Sequence, residues 1–178
     1  MVIKNTNNPK HPGTKIVLNH TDENVKVVGI AGDSGFVSIN TTKYLMNREV
    51  GFGRKLLQIL EDLNISWDHM PTGIDDLSVI LRSKELTPIK EQEILKHLIQ
   101  DLQVDYAEIE HDLSIIMIVG ENMKNQIGVT ATATKALSEN NINIQMISQG
   151  SSEVSIMFVV NQEQEKQAIK ALYDVFFK

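Results

Sequence analysis

The chain of 178 residues has no cysteine. This absence excludes disulfide bonds, thiolate nucleophiles and cysteine-ligated zinc, and it agrees with a reducing compartment. The sequence also has no apolar run long enough to span a bilayer, and the N-terminal stretch MVIKNTNNPKHPG lacks the apolar region of a secretory signal peptide. We therefore predict a cytoplasmic protein that is not inserted in a membrane.

Positive charge is in deficit. The chain has 17 lysines and arginines against 23 aspartates and glutamates, which gives a formal net charge of -6. An acidic surface repels phosphate backbones, so nucleic acid is not an expected partner. Hydrophobic residues make up 42% of the sequence and charged residues 22%, as in soluble globular proteins, and the length fits one large domain or two small ones.

Signatures of catalysis and of metal binding are missing as well. There is no Walker-type loop and no nucleophile elbow, and Gly51-Phe52-Gly53 lacks the rest of a dinucleotide fingerprint. Asp75 and Asp76 are adjacent on a predicted strand, where neighbouring side chains point to opposite faces and cannot share one substrate atom. The histidines lack metal-ligand spacing; they are His11, His20, His69, His97 and His111. We predict no catalytic residue, metal site or cofactor in this chain.

Hydrophobic periodicity predicts alternating strands and helices. Residues 1–24 show little periodicity and are interpreted as a linker, and Gly32 to Gly35 are predicted to form a turn. Strands are predicted at 25–31, 36–41, 65–70, 77–81, 104–109, 113–119, 142–147 and 154–160. Helices are predicted from Phe52 to Asn64, from Thr87-Pro88 to Leu102, from Val129 to Asn140 and over 162–177, the last with Ala168, Leu172, Val175 and Phe176 inward.

The second half of the chain repeats the first. When Gly51 is placed on Gly128 without a gap, identical or similar residues coincide along the register. The matched pairs include Leu60 with Leu137, Asn64 with Asn141, Gly73 with Gly150, Ser78 with Ser155, Leu77 with Val154 and Val79 with Ile156. Each repeat reads β-α-β-β-α-β, so we predict an α/β fold (an α+β sandwich) of two ferredoxin-like units.

The strand count predicts how the two units are connected. The first unit is complete, whereas the second ends on its helix and lacks a last strand. Since an unpaired sheet edge is an aggregation hazard, we expect the surplus strand at 25–31 to complete the second sheet. The first unit, 34–110, is then inserted into the second, which comprises 25–31 plus 113–178.

Each unit has a glycine in the turn between its first strand and first helix. The turns are Asn47 to Phe52 in the first unit and Asn125, Gln126, Ile127, Gly128 and Val129 in the second. Glycine lets a ligand approach the backbone, and the free N–H groups of a helix start attract a carboxylate, so an amino acid fits this place. The alternative is that Gly51 and Gly128 only permit a tight turn.

The second strand of each unit offers a different polar side chain. Asp68 would provide a counter-charge for a cationic side chain, whereas Gln145 at the same register position offers neutral hydrogen bonding. The alternative is that Asp68 is a solvated surface carboxylate.

Four stretches resemble the regulatory region of monofunctional, lysine-sensitive aspartokinases: GFVSIN (35–40), YLMNREVGFGRK (44–55), HMPTGIDDLSVI (69–80) and NINIQMISQGSSEVSIMFVV (141–160). The resemblance covers essentially the whole chain and implies two tandem ACT domains. Residues 1–24 are similar to the linker that follows the kinase domain, while the kinase signature is missing. A fragment, a separately translated regulatory subunit and a degenerate gene remain alternatives.

The resemblance also implies a function. The whole enzyme phosphorylates aspartate with ATP and magnesium, both bound by the kinase domain, so this chain is not expected to be an enzyme on its own. It would bind an end-product amino acid, lysine or possibly threonine, mediate feedback inhibition in aspartate-family biosynthesis, form a homodimer through ACT domains and act on a kinase domain in cis or as a separate subunit. The alternatives are a stand-alone amino-acid sensor and a ligand-free oligomerisation module.

The family's ligand residues can be carried over by motif. For the first unit they are Met46, Gly51, Phe52, Gly53, Asp68, Asp75, Asp76 and Leu77. For the second unit, a weaker site is predicted at Asn125, Gln126, Ile127, Gly128, Gln145, Glu153 and Val154.

Overall fold

A computed structural model describes residues 1–16 and 26–178. Its strands are β1 (Val2–Ile3), β2 (Thr14–Lys15), β3 (Gly29–Thr42), β4 (Asp76–Arg82), β5 (Tyr106–Val119), β6 (Met146–Gln149) and β7 (Ser155–Asn161). Its α-helices are α1 (Phe52–Asp62), α2 (Pro88–Gln100), α3 (Val129–Glu139) and α4 (Glu165–Phe177). Within the predicted linker, β1 and β2 form a small exposed hairpin, and 17–24 lie outside the described residues.

The larger sheet has five antiparallel strands in the order β4-β3-β5-β7-β6. Its two long strands, β3 and β5, each belong to both units. Residues 36–42 of β3 pair with β4, whereas 29–34 pair with 114–119 of β5, which pairs in turn with β7. This pairing confirms that a leading strand completes the second sheet, although it starts at Gly29 rather than at Val25, which lies outside the described residues. The domain boundaries given above remain predictions.

The predicted turn at Gly32 to Gly35 is wrong, because β3 runs through it without reversing. Gly35 (φ 82) and Asp112 (φ 56) have positive φ, and the pairing register of β3 with β5 shifts between Ser34 and Ser38. The break predicted between 109 and 113 is likewise a bulge inside β5. A bulge inserts one extra residue, which preserves the strand but interrupts its alternation.

The interrupted alternation puts the helices of both units on the same face of the sheet. Val37 and Ile39 pack into the first core, whereas Gly32 lies against Ile169 of α4 and Ile30 packs into the second core. Odd and even positions of one regular strand would face opposite sides, so the extra residue at each bulge is what aligns the two units. The opposite face carries a third apolar cluster from both units: Phe36, Ile80, Leu113, Ile115 and Val159.

The helix boundaries follow the local sequence signals. Thr87 caps α2 by accepting a hydrogen bond from the N–H of Lys90 (3.4 Å), with Pro88 at the first helical position. Asn64 (φ 51) and Asn141 (φ 55) follow the ends of α1 and α3 in the left-handed conformation, which asparagine tolerates and which ends a helix. Val175 was predicted to point inward but is 44% exposed, because it lies in the last turn of α4, at the margin of the core.

The predicted strand at 65–70 is not formed as a regular strand. The segment and the residues after it pair with β4 irregularly, with isolated bridges between His69 and Ile80 and between Thr72 and Leu77. The N–H groups of Asp68 and His69 both donate to the carbonyl of Ile80 (2.8 and 3.3 Å), so the ladder is irregular at this point. Its counterpart in the second unit, predicted at 142–147, is the shorter strand β6.

The gapless repeat is correct for the helices and wrong for the third strand of each unit. Ile39 pairs with Val79, and the equivalent Ile116 pairs with Phe158, so Val79 corresponds to Phe158 and not to Ile156. The matches of Ser78 with Ser155 and of Leu77 with Val154 fail for the same reason. The loop before β7 is longer by two residues than the loop before β4, and a shorter connection before α4 restores the register.

Candidate functional site

The loop between β3 and α1 has a compact, buried centre. Met46 begins a short 3-10 turn and is 6% exposed, and Phe52, the first residue of α1, is 3% exposed. Between them Gly51 adopts φ 81, a left-handed conformation that favours glycine. Gly53 follows in the first turn of α1, with open space where a side chain would begin. Burial of Met46 and Phe52 thus fixes the glycines at the start of the helix.

This loop docks on the chain that leads into β4. The N–H of Lys43 donates to the carbonyl of Asp75 (2.8 Å), and the N–H of Asn47 donates to the carbonyl of Ile74 (3.2 Å). The structure therefore holds the segment that contains Met46 against Ile74 and Asp75, and Gly51, Phe52 and Gly53 follow this segment in the chain.

The Asp75 carboxyl group is incompletely satisfied. Its Oδ1 atom is buried and accepts no hydrogen bond from the described residues. A buried acceptor without a donor is costly, and native proteins usually satisfy such atoms with water, an ion or a ligand. Asp75 Oδ1 is thus an acceptor available to an ammonium group beside the loop.

Asp76 and Leu77 face other surroundings. Leu77 is buried, and its carbonyl accepts a hydrogen bond from the Thr41 hydroxyl (2.8 Å). The Asp76 carboxylate folds over Gly73 and lines a cavity of about 270 Å³ on the open face of the sheet. Asp75 and Asp76 therefore lie in different environments, in agreement with strand alternation.

Asp68 lies beside β4, at a position farther along that strand. Its main-chain N–H pairs with Ile80, three residues beyond Leu77, which is about 10 Å along a strand. The Asp68 carboxylate is 3.8 Å from Nε of Arg82, and its side chain is 38% exposed. It therefore stands apart from the glycine loop, at a distance that only a long ligand could bridge.

Charged residues that the sequence analysis did not single out surround the loop. Lys43 Nζ lies 2.6 Å from Glu49, donates to the carbonyl of Leu102 (2.5 Å) and sits 5.7 Å from the centre of the Phe52 ring. Lys55 approaches Glu49 from the other side at 2.7 Å. These hydrogen bonds, from Lys43 first, hold the pKa of Glu49 below its ordinary value. Lys43 and Glu49 flank the loop in sequence, but sequence alone did not show that they pair.

The loop of the second unit is held by its own carboxylate. The N–H of Asn125 donates to Oε2 of Glu153 (2.7 Å), and the N–H of Gly120 donates to the carbonyl of Val154 (2.9 Å). Gln126 closes a turn by donating to Met123 (3.0 Å). The structure therefore brings Asn125 and Gln126 together with Glu153 and Val154.

The other three predicted residues of the second unit, Gln145, Gly128 and Ile127, are not part of these contacts. Gln145 donates through Nε2 to Glu110 (2.6 Å) on the open face, where it lines the same cavity as Asp76. Gly128 (φ 91) precedes α3, and Ile127 before it is 96% exposed. Val50, at the corresponding place in the first unit, is 94% exposed.

In the described residues, no helix is long and apolar enough to cross a bilayer. Over the same residues, no group of three or more histidine, cysteine, aspartate or glutamate side chains could hold a metal ion.

Comparison with known proteins identifies the second unit directly. Residues 116–176 match the ACT domain family. The chain is 51% identical over 175 residues to aspartokinase 3 of Bacillus subtilis (strain 168), an alignment that covers 98% of this chain and 38% of the relative. The crystal structure of Clostridium acetobutylicum aspartate kinase superposes with a TM-score of 0.88 at 37% identity, covering 98% of this chain and 41% of that one. The chain thus spans well under half the length of these relatives.

Two more distant structures share the fold. The regulatory subunit of aspartate kinase from Thermus flavus superposes with a TM-score of 0.73 at 21% identity, covering 85% of this chain and 99% of that one. E. coli aspartokinase III in complex with lysine and aspartate gives a TM-score of 0.69 at 23% identity, covering 85% of this chain and 33% of that one. Residues 116–176 therefore match the ACT domain family, nearly the whole chain is similar to part of an aspartokinase, and the fold is that of an aspartate kinase regulatory subunit.

Proposed function

We propose that the first unit binds lysine and that the chain mediates feedback inhibition of an aspartokinase. The observation that carries this proposal is the buried, unsatisfied Oδ1 of Asp75 beside the glycine loop that begins α1. Helix-start N–H groups attract the carboxylate of an amino acid, and Asp75 Oδ1 accepts from its α-ammonium group. The lysine-bound state of E. coli aspartokinase III, a structural neighbour, supports an amino-acid ligand.

The position of Asp68 supports lysine over a short neutral amino acid. Asp68 lies about 10 Å along β4 from Leu77, beside the outermost strand of the sheet, so a long extended side chain that passes around this edge can reach from the loop towards it. Its carboxylate then pairs with the ε-ammonium group, while threonine or methionine would leave the carboxylate without that partner. Charge pairs of this kind are the interactions that separate a cationic ligand from a neutral one.

The regulatory effect requires two states with different lysine affinity. In this proposal the ACT units form a homodimer, and lysine favours one arrangement of the pair over the other. A kinase domain, in cis or as a separate subunit, responds to that preference. Couplings between sites are typically about 1–3 kcal/mol, which corresponds to roughly 5- to 150-fold in affinity.

Titration calorimetry of the 178-residue chain with lysine, threonine and methionine tests the ligand. We expect saturable binding for lysine, at least tenfold tighter than for the other two. Asp75→Asn and Asp68→Asn should each weaken lysine binding by tenfold or more, because each removes one carboxylate that meets an ammonium group. Asp76→Asn, next to Asp75 but on the open face, is the matched control and should bind lysine as the unchanged chain does.

The second candidate function is that of an oligomerisation module without a ligand. The almost complete exposure of Val50 and Ile127, at equivalent places in the two units, favours it, because large apolar side chains at such exposure often mark a contact surface. Flat titrations with all three amino acids, together with a stable dimer in sedimentation, would establish this alternative. Capture of a separate kinase chain by pull-down would instead indicate a stand-alone sensor acting in trans.

A further inference from the structure

Arg82, the last residue of β4, lies between two carboxylates from different units. Its Nη2 is 2.7 Å from Oδ2 of Asp33, and its Nε is 3.8 Å from Oδ2 of Asp68. The guanidinium stacks 4.0 Å from the centre of the Phe36 ring. Asp33 belongs to the part of β3 that pairs with the second unit, whereas Asp68 is the proposed partner of the lysine ε-ammonium group.

We propose that Arg82 is a specificity-determining residue that competes with lysine for Asp68, and that Asp33 limits this competition by holding the guanidinium. The inference rests on the proposed function, since it concerns the carboxylate assigned there to the ligand. A guanidinium and an ε-ammonium group are like charges, and a carboxylate that serves both must divide its attraction between them.

The geometry explains why Asp68 remains available to a ligand. The Arg82–Asp33 distance is that of a direct charge-assisted hydrogen bond, whereas the Arg82–Asp68 distance exceeds hydrogen-bond range. The hydrogen bond that Arg82 donates to Asp33 is also the main reason that the pKa of Arg82 is raised. Stacking on the buried Phe36 keeps the guanidinium flat against the sheet, so it does not swing freely onto Asp68.

Two substitutions break the same Arg82–Asp33 pair but must shift lysine binding in opposite directions. Arg82→Gln removes the competing cation, so lysine should bind more tightly. Asp33→Asn leaves the cation and removes the group that holds it, so Arg82 turns to Asp68 and lysine should bind more weakly. For partly exposed charges, each change should be on the order of two- to fivefold in Kd.

The test is lysine titration of the full chain and of the two variants at low ionic strength, with thermal unfolding as a check that each variant folds. Arg82→Lys serves as a matched control, because it keeps the charge and should not strengthen lysine binding. Raising the salt concentration should reduce both shifts, since exposed charges are screened.

The outcomes separate this inference from the proposal on which it rests. If the unchanged chain does not bind lysine, the proposed function fails and this inference fails with it. If the chain binds lysine but both variants shift Kd in the same direction, or neither shifts it, only the role of Arg82 is overturned. Tighter binding by Arg82→Gln together with weaker binding by Asp33→Asn supports it.

Discussion

The main-chain N–H of Asn125 donates a 2.7 Å hydrogen bond to the side-chain carboxylate of Glu153. Glu153 reaches this position in a left-handed conformation (φ 59), which is uncommon for a residue with a side chain. In the second unit, the Glu153 carboxylate therefore accepts from a main-chain N–H group of the loop at which a ligand's carboxylate was predicted to bind.

We expect the two units to differ in lysine binding for this reason. In the second unit, a ligand carboxylate would have to displace Glu153 from the N–H of Asn125. In the first unit, Asp75 Oδ1 has no hydrogen-bond partner within the described residues, so a ligand ammonium group displaces nothing there. Calorimetric titration should give one high-affinity lysine per chain. Two sites of equal affinity would contradict this expectation.

Gly51 and Gly53 should respond differently to alanine. Gly51→Ala forces a side chain into φ 81 and should lower the free energy of unfolding by about 1–2 kcal/mol, although nothing lies close enough to clash. Gly53→Ala lies in the first turn of α1 and meets open space, so it should leave stability unchanged or raise it by up to about 1 kcal/mol. Urea unfolding measures both.

Gly53→Ala also tests where the ligand lies. Because the added methyl group points into open space in the isolated chain, a loss of lysine affinity without a loss of stability would show that the ligand approaches this backbone. Unchanged affinity would place the amino acid elsewhere on the loop.

The bulge at Asp112 should tolerate glycine but not a β-branched residue. Asp112 has φ 56, which glycine adopts without strain and valine does not. We expect Asp112→Val to cost about 1–2 kcal/mol of stability and Asp112→Gly to cost nothing or to stabilise slightly. Equal stability of the two variants in chemical denaturation would argue against a strained bulge at this position.

His69 should make the free energy of unfolding depend on pH, at pH values above those at which carboxylates titrate. Burial lowers the pKa of His69 below its ordinary value of 6.5, and its Nε2 is buried without a hydrogen-bond partner in the described residues. The unfolded chain therefore binds a proton more readily than the folded one. Stability from this group is present above pH 6.5 and is lost as the pH falls through that value.

The measurement is the change in unfolding free energy between pH 7.5 and 5.5 for the unchanged chain and for His69→Gln. The variant should lose less stability on acidification over this interval. An identical pH dependence would mean that His69 is protonated equally well in both states.

Much of the fold could be predicted from local sequence signals. Thr87-Pro88 and Asn64 mark helix ends through their own backbone preferences, and these two predictions are confirmed. The segment Gly32 to Gly35 was wrongly predicted as a turn, because glycine is equally common in a β-bulge and in a turn. Only the pairing partner, here β5, decides between them, and that partner lies far away in the sequence.

Only those parts of the candidate site that lie within a single loop could be predicted from the sequence. The glycines at the starts of α1 and α3 carry their own conformational signal, whereas ion pairs such as Arg82 with Asp33 form only when distant strands meet. The gapless alignment of the two repeats is wrong at β7 for a related reason. The insertion before β7 and the deletion before α4 compensate each other, so the helices on either side stay aligned and the shift between them cannot be seen in the sequence.

The two long strands have a consequence for how this region responds to force and heat. β3 and β5 each pass through both hydrophobic cores, so among residues 26–178 these two strands connect the halves without a flexible hinge at which one half could unfold and leave the other intact. Amide protons at opposite ends of β5 should therefore exchange with solvent in one concerted opening of the whole sheet.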